Sequence, residues 1–113
     1  MKDDIVVLVN RNGMGQADTE LSHKLFRTWL NMLDLDDRLP RMICFYAEGV
    51  RMACAGSPVL EELESLAGKG VELIVCTTCL NHYGILADLA VGTAGGMKGI
   101  VEAQWGAGKV ITL

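Results

Sequence analysis

The sequence predicts an α/β fold in which a parallel β-sheet carries helices on both faces. One observation is the run Ile5-Val-Val-Leu-Val9, continuous and β-branched, as a strand buried on both sides requires. Another is the regular alternation of such runs with segments of helical period, strand and helix appearing five and four times. A third is that every intervening segment is long enough for a right-handed crossover between parallel strands.

The elements follow in order. After Ile5–Val9, the apolar residues Leu21, Leu25, Trp29, Met32 and Leu33 recur at helical spacing and predict one amphipathic stripe, with Asp18 as its N-cap. Arg41-Met-Ile-Cys-Phe-Tyr-Ala47 reads as the second strand. Val59, Leu60, Leu63, Leu66 and Ala67 form the next helical stripe, with Ser57 as N-cap, Pro58 at the first helical position and Gly68-Lys-Gly70 at the end. Val71–Cys76 is a third strand, and a short helix begins at Thr77 or Thr78 and stops near Gly84. Ala90-Val-Gly92 is read as a brief strand. A helix bearing Met97, Ile100, Val101, Gln104 and Trp105 follows, ending at Gly106 or Gly108, and Lys109–Leu113 closes the sheet.

Composition narrows the function. The 113 residues suit one domain, spanning 1–113, and are half apolar and 21% charged, enough for a core. The net charge of −4 gives no global attraction to nucleic acid or to an anionic membrane. Neither a membrane span nor a signal peptide is expected, because the longest strictly apolar run is the five residues Ile5–Val9. The four cysteines, Cys44, Cys54, Cys76 and Cys79, therefore point to a cytoplasmic protein with reduced thiols rather than to a disulfide framework.

In a parallel sheet the functional crevice lies at the carboxyl ends of the strands. Four segments meet there on this reading: Asn10–Gln16, Glu48–Arg51, Cys76–Cys79 and Gly92–Gly96. Cys76-Thr-Thr-Cys79 is the sharpest feature among them. Cys76 ends a buried strand and Cys79 falls in the first turn of a helix, whose unpaired N–H groups favour thiolate over thiol. The hydroxyls of Thr77 and Thr78 can cap that helix or donate to sulfur. Cys44 and Cys54 are read as core residues.

The remaining features are weaker. The loop Asn10-Arg-Asn-Gly-Met-Gly15 puts Asn10, Asn12, Gly13, Met14 and Gly15 at the crevice, yet lacks both a Walker lysine and a full GxGxxG. Glu48, followed by Gly49, is a proton carrier or a solvated loop charge, the second being favoured. His23 and His82 are surface residues. No metal or other cofactor is expected, since Cys44 and Cys54 lack knuckle spacing and His82 stands only three residues beyond Cys79. Thioredoxin-like exchange fits poorly, because Pro40 and Pro58 both precede the CxxC, where that fold needs a proline downstream. Persulfide chemistry on an accessible thiol stays open, as does exchange between the two cysteines.

Several segments together resemble a known family: Asn10–Glu20, Cys44-Phe-Tyr-Ala-Glu-Gly-Val50, Gly56-Ser-Pro-Val-Leu-Glu-Glu-Leu63, Gly70–Leu80, Tyr83-Gly84, Leu89-Ala-Val-Gly92 and Lys109–Leu113. They are similar to the DsrE/DsrF-like sulfur-relay proteins, and most of all to the C-terminal domain of YedF-type selenium-metabolism proteins. The resemblance implies a three-layer α/β/α sandwich with a five-stranded parallel sheet. It implies a sulfurtransferase-like carrier of sulfur or selenium, with the persulfide on Cys76, eight residues before Gly84, and Cys79 as the second cysteine of the pattern. Sulfur donor and acceptor proteins and assembly as a homo-oligomer, a trimer or hexamer, belong to the same expectation. YedF-type proteins also carry a TusA-like domain that this sequence lacks, so a separate TusA-like protein is an expected partner. The competing expectation is a small-ligand-binding or assembly module of the same fold without catalysis.

Overall fold

The computed structural model describes residues 3–113. Five strands, β1 (Asp3–Val9), β2 (Pro40–Phe45), β3 (Glu72–Cys76), β4 (Thr93–Gly95) and β5 (Lys109–Thr112), form one sheet in the order β4-β3-β2-β1-β5. Every pairing is parallel, with Val7 opposite both Ile43 and Ile111, and Cys76 opposite Gly95. The four α-helices are α1 (Thr19–Leu35), α2 (Leu60–Gly68), α3 (Thr77–His82) and α4 (Met97–Gly106). Two 3₁₀ helices, Ala47–Ala53 and Leu86–Asp88, lie between them.

The strand order fixes the layers. From β1 to β4 the chain steps one way across the sheet, then returns past β1 to β5. With right-handed crossovers, α1, α2 and α3 fall on one face and α4 alone on the other. On the first face α1 meets α2, where the Ser65 hydroxyl donates to Asp34 across 2.7 Å and Lys69 Nζ lies 2.6 Å from the same carboxylate. On the second, Arg41 of β2 donates to the carbonyl of Ala103 in α4 at 3.4 Å. The result is the three-layer α/β/α sandwich. Val6, Val9, Ile43, Phe45 and Val75 from the central strands, with Phe26, Leu30, Leu63, Leu66 and Ile100 from the helices, are its buried core.

Local chemistry explains most boundaries. The Asp18 carboxylate accepts the N–H of Leu21 at 3.0 Å and caps α1 as expected. The buried face of α1 differs from the predicted stripe. Ser22, Phe26 and Leu30 are buried and Trp29 and Leu33 partly so, whereas Leu21, Leu25 and Met32 are exposed. The stripe is rotated by one residue because Ser22, although polar, is satisfied inside, reaching the carbonyls of Ala17 (3.4 Å) and Gly15 (3.5 Å).

Two other expectations need correction. Ser57 and Pro58 precede α2 instead of opening it; Val59 occupies the cap position, and the Ser57 hydroxyl accepts the N–H of Val59 at 3.2 Å in a preceding turn. The fourth strand is Thr93–Gly95, not Ala90–Gly92. The N–H groups of Ala90 and Val91 both donate to the carbonyl of Ala53, at 2.9 and 3.1 Å, and so are unavailable to the sheet.

Candidate functional site

The carboxyl ends of β1, β2 and β3 converge through a short set of contacts. At β1 the carbonyl of Val9 accepts the N–H of Tyr46 at 3.0 Å. Gly49 packs so closely behind that a Cβ there would lie 2.0 Å from the same carbonyl oxygen, so the position accepts no side chain. The Asn10 amide donates to the Tyr46 hydroxyl at 3.3 Å. Ala47 then turns the chain into the 3₁₀ helix with φ +50°, and its N–H donates to Cys79 Sγ at 3.1 Å. The segments after three strands are thus linked by a run of contacts that ends on the Cys79 thiol.

Cys76 closes β3 and occupies the cap position of α3, and Cys79 lies one turn on. Their accessibility differs: Cys76 is 1% exposed, whereas Cys79 is only partly buried. A reagent arriving from solvent therefore meets Cys79 first. The Cys79 thiol is held above its ordinary range by burial, against the stabilising N–H of Ala47, and the neighbouring Cys76 adds to the upward shift. The expected net lowering by a helix terminus is absent at Cys79. Desolvation outweighs the hydrogen bond, and α3 is only six residues long.

The threonines do not serve the sulfurs as expected. Thr77 donates its hydroxyl to the carbonyl of Gly95 at 3.3 Å, fastening α3 to β4, and no side chain caps α3. Thr78 is exposed to solvent.

Glu48 forms an ion pair with Arg51 at 2.5 Å, and the Arg51 guanidinium stacks 4.5 Å from the centroid of Tyr83, the residue that caps the end of α3. The Tyr83 hydroxyl is pushed up first by burial and then by the nearby Glu48 carboxylate. This cluster ties the 3₁₀ helix to α3 on the side of Cys79. Sequence reasoning placed the segment Glu48–Arg51 at the crevice but gave Arg51 no role of its own and assigned Ala47 and Tyr83 no part in the site. The spacing of Glu48 and Arg51, three apart, was the available signal for their pairing.

The loop after β1 forms a separate feature. Asn10, Asn12, Gly15 and Glu48 line a polar cavity of about 440 Å³, together with Arg11, Gln16 and Thr19. Gly13 and Met14 are not among its walls. Gly13, at φ +126°, is buried against Ser22, where a Cβ would approach within 2.7 Å, and Met14 packs on the core. The cysteines do not line this cavity either; Tyr46 and Ala47 stand between the two. The other thiols are internal. Cys44 is pushed up to about 11, chiefly by burial, and Cys54 is raised for the same reason, with its Sγ 3.3 Å from the carbonyl of Val50. His23 contacts Asn12 at 3.2 Å on the surface of α1. Among the described residues no three His, Cys, Asp or Glu side chains gather as a metal site would need, and no helix is long and apolar enough to cross a membrane.

No family model and no curated protein matches the chain. Solved structures do. The protein of unknown function MTH1491 from Methanobacterium thermoautotrophicum is similar with a TM-score of 0.72 at 21% identity, over 96% of this chain and 97% of that one. The ychN protein from E. coli gives 0.70 at 20% identity over the full length of both. The conserved protein of unknown function BT1422 from Bacteroides thetaiotaomicron gives 0.70 at 11%, covering 97% and 95%. At these identities the likeness establishes a shared fold.

Proposed function

We propose that the chain is a DsrE-like sulfur carrier that uses the Cys76–Cys79 pair. The observation that carries this reading is the partly exposed Cys79 thiol, with a backbone N–H on its sulfur and the second cysteine, Cys76, one helical turn behind it. The residues that resemble the sulfur-relay family supply the choice of chemistry. The four free cysteines suit the reducing cytoplasm.

The steps balance without a cofactor. The Cys79 thiolate attacks the terminal sulfur of a donor persulfide, R–S–SH, and the donor leaves as its thiolate; Cys79 then carries S–SH. Attack by the Cys76 thiolate on that terminal sulfur moves it inward to Cys76 and restores the Cys79 thiolate. This gives Cys76 the carrier role that the family pattern implies. Return to Cys79 and attack by an acceptor thiolate, for which a TusA-like protein is the partner class, completes the relay. Selenium follows the same steps from a selenium-bearing donor.

Intact-mass spectrometry after incubation with a persulfide donor tests the reading. Addition of about 32 Da, one sulfur atom, is expected, lost on treatment with a thiol. Cys79→Ser should abolish loading, and Cys76→Ser should load at Cys79 but release the sulfur faster. A loss of about 2 Da with no adduct would replace the proposal with exchange through a Cys76–Cys79 disulfide. Absence of both changes would leave a binding or assembly module.

A further inference from the structure

We propose that the polar cavity beside the loop after β1 binds a free amino acid, held as its zwitterion. Its volume of about 440 Å³ falls among small-molecule sites, which run from roughly 300 to 1,000 Å³. The walls carry one cation, Arg11, and one anion, Glu48, together with the side chains of Asn10, Asn12, Gln16 and Thr19. The thiols line no part of it.

The wall offers acceptors from one set of residues and donors from another. Asn10 and Glu48 follow the neighbouring strands β1 and β2 and supply the acceptors. The side-chain oxygen of Asn10 is buried, and no group donates to it. A buried acceptor without a donor is unfavourable, and an N–H brought by a ligand relieves it. Glu48 adds a carboxylate, one oxygen of which holds Arg51 at 2.5 Å. Arg11 and Thr19 supply the donors. The Arg11 guanidinium is exposed and makes no ion pair or hydrogen bond among the described residues. Thr19 opens α1, and neither its N–H nor its hydroxyl has a partner among them.

Opposite charges in one small cavity select against simple ions. Glu48 repels a phosphate or a lone carboxylate, and Arg11 repels a lone amine. A molecule with both charges satisfies both walls: its carboxylate goes to Arg11 and Thr19, and its ammonium to Glu48 and Asn10. Asn12 accepts at its side-chain oxygen from or donates there to His23, and its amide nitrogen is free for a polar side chain of the ligand, as is the Gln16 amide.

An NMR titration of the isotope-labelled full chain with L-glutamine tests the site. Saturable shifts are expected at the amides of Asn10, Arg11, Asn12, Gln16 and Thr19, with a dissociation constant below about 1 mM. Glutaramic acid, which lacks the ammonium, and γ-aminobutyramide, which lacks the carboxylate, should each bind at least about ten-fold more weakly. Arg11 is exposed and unpartnered, so Arg11→Ala leaves the fold intact, checked by its thermal melt. It should weaken glutamine about ten-fold and leave γ-aminobutyramide unchanged. Glu48→Gln should weaken glutamine by a similar factor and leave glutaramic acid unchanged, a pairing of variant with analogue that a merely structural role does not produce. No saturable shift with glutamine, or equal binding of glutaramic acid, would overturn the proposal. Sulfur loading of the Arg11→Ala variant should match that of the unaltered chain, so neither reading stands or falls with the other.

Discussion

The N–H of Ala47 donates to the Sγ of Cys79 across 3.1 Å, joining the segment that leaves β2 to the helix that follows β3. This one bond opposes the upward pull of burial on the thiol. Cys79, and not the enclosed Cys76, is the sulfur presented to solvent.

Alkylation should follow that order. At about pH 8, iodoacetamide should label Cys79 first, with Cys76, Cys44 and Cys54 protected until the chain unfolds. Because the Cys79 thiol is held above its ordinary range, its rate should keep climbing beyond about pH 10, where a free thiol has levelled off. Peptide-resolved mass spectrometry over a pH series reads both effects; labelling of Cys76 ahead of Cys79 would contradict the geometry.

Ala47 adopts φ +50°, a left-handed conformation that costs a residue with a Cβ roughly 1 kcal/mol. Ala47→Gly removes that strain and keeps the N–H, while adding freedom to the unfolded chain. The expected net change is a gain of about 0.5 kcal/mol in urea unfolding, with the alkylation profile of Cys79 retained.

Gly49→Ala has the opposite sign. Its Cβ would fall 2.0 Å from the carbonyl oxygen of Val9, which is backbone and cannot yield as a side chain would. A loss of at least about 3 kcal/mol is expected, or a chain that fails to fold, measured by urea denaturation.

Stability should fall in alkali. Burial pushes the Cys44 thiol up to about 11, whereas in the unfolded chain a thiol ionises near about 8.5. Between those values the folded state keeps a proton that the unfolded state has lost. The contribution is fully present below the lower value and declines as pH rises to the upper one. Urea midpoints at about pH 8 and about pH 10.5 should show the drop, and Cys44→Ala should flatten it.

The face of α1 supplies a direct comparison. Phe26→Ala opens a cavity at a side chain with no exposure and should cost about 3–5 kcal/mol, whereas Leu25→Ala, at a residue 42% exposed, should cost under about 1 kcal/mol. Equal losses would restore the stripe that periodicity alone suggested.

That stripe shows where sequence patterns are readable and where they fail. Strands such as Ile5–Val9 are legible because burial on both faces demands an unbroken apolar run. Leu25 and Phe26 are both apolar, so periodicity cannot choose between them; the choice lies with Ser22, whose hydroxyl finds carbonyls only in the folded loop. The position of Cys76 and Cys79 followed from strand–helix alternation. Their unequal exposure, the left-handed turn at Ala47 and the stacking of Arg51 on Tyr83 arise from contacts between segments more than thirty residues apart, which no local pattern encodes. The brief β4 was displaced for a related reason, its expected residues being bonded to Ala53.

The double use of the Ala53 carbonyl has a dynamic consequence. It sews the approach to β4 onto the 3₁₀ helix that carries Glu48 and Arg51, while Thr77 clips α3 to the end of β4. The surroundings of the thiols are therefore cross-braced on three sides, and their amides should exchange hydrogen as one cooperative block. Such a site is preorganised, so little rearrangement of the protein accompanies the arrival of a reactant.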